Sequence, residues 1–214
     1  MTLDREDILA LLEERPGEAV AALVAEGIPA EVAEASLADI PRKVALYGDL
    51  VDDDWLQQVL SGRVLALGRL QFEREPGPHG RHIHIPESGR LDPAQVDASL
   101  AWAARYFGDG APFVCESWML DPALRQLPPT SNVRRFAARF DVTPAPRTTE
   151  GARSLAKFVF RSTPEEVLSL PLAEGATAVE RIAYAALAGD GVWSEPLGVL
   201  RHAENPPPGT TVGQ

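Results

Sequence analysis

The apolar pattern of this chain changes period near residue 63, and that change limits the folds open to it. Before it, Ile8, Leu9, Leu11 and Leu12 recur at helical spacing until Pro16-Gly17. Ala19, Val20, Leu23 and Val24 make a second stripe that stops at Gly27, and Pro29 suits the first turn of a third helix carrying Val32, Leu37 and Ile40 before Pro41. Helices this short and alanine-rich are marginal alone and must pack on something larger. Residues 1–60 therefore read as a small N-terminal helical cap. After the change, Val64-Leu65-Ala66-Leu67 is continuously apolar, and Leu70 and Phe72 alternate with Arg69, Gln71 and Glu73, as in a strand whose first half is buried on both faces.

The remainder alternates strands and helices. Pro76-Gly77-Pro78-His79-Gly80 is a hairpin-like loop, and His82-Ile83-His84-Ile85 a short strand closed by Pro86. Asp92 caps and Pro93 opens a helix bearing Val96, Leu100, Ala103, Ala104 and Phe107 and ending at Gly108. Pro112-Phe113-Val114-Cys115 begins a buried strand running towards Trp118-Met119-Leu120, and Asp121-Pro122 starts a brief helix ending near Leu127. Phe140 to Pro146 reads as extended, Phe158-Val159-Phe160 as another strand, Thr163 to Glu166 as a capped short helix, Thr177 to Leu187 as a longer helix, and Leu197 to Leu200 as a last strand. This alternation means α/β or α+β rather than a bundle or a sandwich. The Pro- and Gly-rich segment 204–214 is expected to be a flexible tail.

Composition removes several function classes. A chain of 214 residues suits one domain with a small appendage. Twenty Lys plus Arg against thirty-one Asp plus Glu give a net charge of −11, the wrong field for duplex nucleic acid and mildly favourable to a cationic small molecule or peptide. Such acidity is common among bacterial cytoplasmic proteins. No apolar run of the ~20 residues a bilayer requires is present, so no membrane partner is expected. The acidic start Met1-Thr2-Leu3-Asp4-Arg5-Glu6-Asp7 lacks the features of an export signal, and one cysteine cannot form an internal bridge, so the expected location is cytoplasmic.

Phosphate-loop, dinucleotide-fingerprint and nucleophile-elbow motifs are missing, and four histidines without a His-x-x-x-His pair argue against a metal site. Three features carry chemistry. His82 and His84 lie two apart on a strand and so share one face; the pair could bind a metal, though no third ligand is apparent, or one of them could act as a general base, and a half-exposed polar face explains the pair equally well. In Cys115-Glu116-Ser117-Trp118, Glu116 is a carboxylate flanked by apolar residues, a setting that raises proton affinity towards the general-base range; a solvent-exposed strand position is the plain alternative. Cys115 reads as a buried core thiol before it reads as a nucleophile, and Trp118 as core or pocket wall. After Pro128-Pro129, Ser131 or Asn132 is a natural N-cap whose neighbouring amides, with Arg134 and Arg135, could hold an anion; an ordinary cap with solvated arginines accounts for the same spacing. Arg139 adds to that basic cluster, and Arg153 and Lys157 form another.

Four segments occur in the order found in the GNAT-like acyltransferase family, whose members carry a helical N-terminal part before a GNAT-like C-terminal domain. They are Leu67 to Glu73, His82 to Pro86, Phe113 to Pro122 and Leu127 to Phe136, and Ser169-Leu170-Pro171 with Val179 to Ile182 is similar to the family's closing region. The resemblance implies a mixed sheet splayed at its centre and flanked by helices, with a GNAT-like domain over 61–203. It also implies an N-acyltransferase using acyl-CoA, or an acyl-carrier thioester, as co-substrate, an amine of a small metabolite or peptide as acceptor, and no metal. On this reading His84 and Glu116 move protons, Ser131, Asn132, Arg134 and Arg135 hold donor phosphate, and His82, Cys115 and Trp118 line the substrate pocket. The family often has histidine where Glu116 stands, and the usual acetyltransferase pyrophosphate loop is not found. A non-catalytic binding module with the same fold is therefore the competing expectation. A thiol-dependent hydrolase centred on Cys115 is a third, and a homodimer is left open.

Overall fold

The computed structural model describes residues 3–201, so the segment 204–214 lies outside the described residues. Five helices lead: α1 (Arg5–Glu14), α2 (Pro16–Ala25), α3 (Ala30–Leu37), α4 (Asp39–Tyr47) and α5 (Asp53–Leu60). α1 begins where the Asp4 carboxylate accepts from the Asp7 amide, and α5 where Asp52 accepts from the Asp54 amide. Pro41 was expected to end the third helix. It sits instead in the first turn of α4, where a missing N–H costs no intrahelical bond.

Among the described residues the sheet has six strands: β1 (Val64–Leu67), β2 (Leu70–Glu73), β3 (Arg81–His84), β4 (Phe113–Glu116), β5 (Phe140–Thr143) and β6 (Leu197–Leu200), in the order β1-β2-β3-β4-β6-β5. All neighbours are antiparallel except the central pair, β3 and β4. A parallel pair needs a crossover, and α6 (Pro93–Phe107) supplies it, capped by Asp92 and ended by left-handed Gly108. Ser99 on α6 accepts from the Leu70 amide and donates to the Leu67 carbonyl, fixing the helix to the tight β1–β2 turn. The outer edge of β1 is covered by α3, where Ser36 accepts from the Ala66 amide.

Beyond β4 the chain makes 3-10 turns at Trp118–Leu120 and Pro122–Gln126, then α7 (Asn132–Ala137). The strand expected to continue to Leu120 ends at Glu116, because the Ser117 side chain accepts from the Met119 amide and turns the backbone. α8 (Thr149–Phe160) contains Phe158-Val159-Phe160, which was expected to be a strand. A three-residue apolar run fits either period, and here it closes a helical stripe with Ala152, Leu155 and Ala156 behind the Thr148 cap. α9 (Pro164–Ser169) and α10 (Ala178–Ala188) both start with reciprocal Thr–Glu capping boxes. No helix among the described residues is long and apolar enough to cross a membrane.

One apolar cluster runs from Ile8, Ala33 and Leu56 in the leading helices to Phe72 and Cys115 in the sheet. A second joins α8 and α10 to the turns after β4 around Trp193. Trp193 donates from its indole to the Trp118 carbonyl at 3.0 Å, and Ser194 donates from both amide and hydroxyl to buried Asp121. These bonds lock the approach to β6 against the turn leaving β4.

Candidate active site

The centre of the sheet is closed at one end and open at the other. Between β3 and β4 the ladder holds only Arg81↔Phe113 and His82↔Val114. The closed end is clamped where Gly80, at φ 135°, packs against Pro112, a fit that leaves no room for a side chain, and the Arg81 amide donates to the Pro112 carbonyl. Past it, Ile83 and His84 pair outward with β2, while Cys115 and Glu116 pair outward with β6. The two central strands therefore part, as expected.

A cavity of about 270 Å³ occupies the open end. His84, Glu116, Trp118 and Cys115 line it, so the structure brings together four residues singled out from the sequence. His82 shares the face of His84 but stands beside Gly77 at the closed end and does not line the cavity, which corrects the pocket role expected for it. Residues from distant segments complete the wall: Lys43, Asp52 and Trp55 from the leading helices, Gln71 from β2, Lys157 and Phe158 from α8, and Glu195 from the approach to β6.

His84 Nε2 lies 3.2 Å from Glu73 Oε1, and its ring meets the Trp55 indole edge-on with centroids 4.7 Å apart. The hydrogen bond to His84 is the main reason Glu73 holds its carboxyl below the usual range. Glu116 is exposed at the rim, so the desolvated carboxylate expected there is not Glu116. Glu195 fills that description: burial raises its proton affinity, neighbouring Glu116 adds to the effect, and the hydrogen bond from Ser154 Oγ at 2.6 Å opposes it. Cys115 is fully buried and its thiol is pushed up to about 12, mainly by burial. Burial of this kind suits a core thiol and weighs against the thiol-dependent hydrolase.

Lys43 holds its ammonium 3.9 Å above the Trp55 ring. Burial pushes it down to about 8, with Asp39 opposing and Lys157 and Arg42 reinforcing. Lys157 is also lowered by burial, against the pull of Asp52 and Glu195. Two buried polar atoms of the wall, Gln71 Oε1 and Trp55 Nε1, find no hydrogen-bond partner among the described residues. One acceptor and one donor are thus left for a ligand.

The four residues expected to hold an anion after Pro128-Pro129 are not gathered around one cavity. α7 has only six residues and Ser131 makes no side-chain cap bond. Arg134 turns back to donate to the Leu127 carbonyl at 2.6 Å, and Arg135 is exposed. Arg134 does line a second cavity, of about 460 Å³, together with Arg125 and Arg201, and Met119 borders both cavities. Ser131, Asn132 and Arg135 are not in its wall.

Lys43, Asp52, Gln71, Lys157 and Glu195 were not legible as site residues, because four separate segments deliver them. One sequence signal points to two of them. The chain holds only two lysines against eighteen arginines, and both lysines face this cavity.

Together these features define a class: an α/β protein whose mixed sheet parts between two parallel central strands, with a histidine on one side of the opening and carboxylates on the other. A family model described as the GNAT-like C-terminal domain matches residues 64–200, and the chain belongs to that family. Among solved structures it is similar to an acyltransferase in complex with CoA and 10C-teicoplanin (31% identity, TM-score 0.72, 86% of this chain and 63% of that one). An acyltransferase in complex with decanoyl-CoA and teicoplanin is similar at 29% identity and TM-score 0.72, over 85% of this chain and 63% of the other. An acyltransferase in complex with decanoyl-CoA matches at 25% identity and TM-score 0.68, over 91% and 63%. The chain thus spans less than two thirds of these structures' length. Comparison with curated proteins gives no match.

Proposed function

We propose that the cleft receives the pantetheine arm and thioester of an acyl-CoA, or of an acyl carrier, and passes the acyl group to an amine of a small metabolite or peptide. The observation that carries this reading is the parting of β3 from β4 beside His84 and Glu116. Parted strands leave backbone polar groups facing the gap, where they can pair with the pantetheine amides or polarise a thioester carbonyl. Gln71 Oε1 and Trp55 Nε1 offer one further acceptor and donor. The complexes of the similar structures with CoA, decanoyl-CoA and teicoplanin support the same donor class and a peptide-like or small-molecule acceptor.

In this mechanism Glu116 and Glu195 draw the acceptor ammonium into the cleft, a task suited to a chain of net charge −11. His84, steadied by Glu73, takes the proton that frees the amine for attack. The amine nitrogen forms the amide bond as the carbon–sulphur bond breaks, and the departing thiolate is reprotonated. Arg125, Arg134 and Arg201 face the donor phosphates, in place of the expected Ser131, Asn132 and Arg135. A cytoplasmic setting agrees with the single unpaired cysteine.

Calorimetric titration with CoA and a series of acyl-CoA donors, with thiol release followed in the presence of amines, tests the reading. Donor binding with amine-dependent thiol release is expected. Absence of both, for every donor, would overturn it.

A further inference from the structure

The two lysines of the chain stand in the one cavity where a thioester would be brought, while the eighteen other basic side chains are arginines, which cannot be acylated under the same conditions. The environments of the two amines differ. Burial lowers Lys157 as well, but the two nearby carboxylates of Asp52 and Glu195 pull against that shift. Lys43 enters from α4, the acid that opposes its shift, Asp39, is already bound to Arg42, and its ammonium faces the Trp55 ring. Trp55 in turn touches His84 at the open end of the gap, so the Lys43 amine lies along the wall that leads to the reacting centre.

We propose that Lys43 is itself an acyl acceptor: when no external amine is bound, its side chain takes the acyl group from the thioester in the cleft. The inference rests on the acyl-donor reading above. In the step, the neutral Nζ attacks the thioester carbonyl carbon and a carbon–nitrogen bond forms. The carbon–sulphur bond breaks, and the proton lost by nitrogen ends on the departing sulphur, giving an amide on Lys43 and a free thiol.

The electrostatics favour this amine. At about 8, roughly one tenth of Lys43 is neutral at pH 7, against roughly one in 2,500 for an ordinary lysine. Burial sets this balance first, with Asp39 on the same helix opposing and Lys157 from α8 and Arg42 reinforcing; Asp52, His84, Glu116 and Glu195 face the same cavity. The amide, once made, removes a positive charge and adds bulk in a space of about 270 Å³, so acylation of Lys43 closes the cleft to further turnover.

The test is to incubate the full chain with acetyl-CoA or decanoyl-CoA without an amine, and to follow intact mass, peptide mapping and donor binding in the same samples. The expected result is one acyl group per chain, on Lys43 rather than Lys157 or the N-terminal amine. Its rate should rise about tenfold per pH unit below pH 8. Acyl-transfer activity should fall in step with the adduct. Lys43→Arg, which keeps the charge over Trp55, should bind donor and form no adduct. Donor binding without an adduct on Lys43, or an adduct spread over all amines, overturns the inference and leaves the acyltransferase reading in place. Failure to bind any donor removes both.

Discussion

His84 and Glu116 would face each other if the β3–β4 register continued, yet each is paired only to the strand on its outer side. Two strands that begin in register and then part create a wedge whose apex is backbone and whose mouth is side chain. The apex, at Gly80 and Pro112, is too close for a Cβ, so the wedge cannot close by sliding. The cavity lies at the mouth.

Replacing His84 by Gln keeps size and polarity but removes a proton acceptor. Amine acylation should fall about 10²–10⁴-fold in kcat, with the KM for donor nearly unchanged. Glu73→Gln leaves the ring in place and loosens its hold, and should cost less. Steady-state kinetics of the two variants checks the order.

Glu195 has a folded-state pKa raised by burial, so ionising it works against the fold. The sign follows from linkage: stability favoured by the protonated form is complete below the ordinary glutamate range and is lost as pH rises through the raised value. Glu195→Gln should therefore melt higher than the parent at neutral pH, and the advantage should vanish in acid. The same variant should raise the KM for the amine, because the carboxylate pair with Glu116 is broken. Melting curves across pH and acceptor titrations test both statements.

Gln71 carries a buried carbonyl oxygen with no partner among the described residues. Gln71→Leu should weaken donor binding by about two- to tenfold, the worth of one hydrogen bond, with little loss of stability. Titration calorimetry with CoA measures it.

Cys115 is fully buried, with its thiol pushed up to about 12. Cys115→Ala should retain acyl transfer, and the native protein should resist thiol alkylation until unfolded. Loss of activity in the alanine variant without loss of stability would contradict this assignment.

Gly151 lies in the first turn of α8, where an added Cβ would strike the Trp193 carbonyl carbon at 2.8 Å. The Thr148–Trp193 backbone pair holds the helix at that distance. Gly151→Ala should destabilise by about 1–3 kcal/mol through overpacking and should disturb the approach to Glu195. Denaturant unfolding with activity on the folded fraction separates the two effects.

Local chemistry made much of this fold readable. Asp92-Pro93 and Thr177 with Glu180 announce their helices because capping is a contact between near neighbours. The change of period at Val64 marks the sheet because burial on both faces leaves no polar alternation. Phe158-Val159-Phe160 was misread because three residues cannot distinguish a period of 2 from one of 3.6. α5 has eight residues and gives a similarly weak signal. His84, Glu116 and Cys115 were legible because they sit on the strands that part, and Trp118 because it opens the turn directly after β4. Glu195 and Lys43 were not, because their proton affinities arise from burial by segments far away in the chain.

Glu87, in the loop after β3, collects bonds from Tyr47 at the end of α4 and from Arg161 behind α8, and the same loop receives Arg42. Arg161 is the left-handed C-cap of α8, at φ 58°. This knot ties the leading helices, the central strand and the late helices at one point beside the cleft. A truncation at residue 60 would take Lys43, Asp52 and Trp55 out of the cavity wall and uncover the sheet's outer edge, so any grafting of this sheet has to carry its leading helices with it.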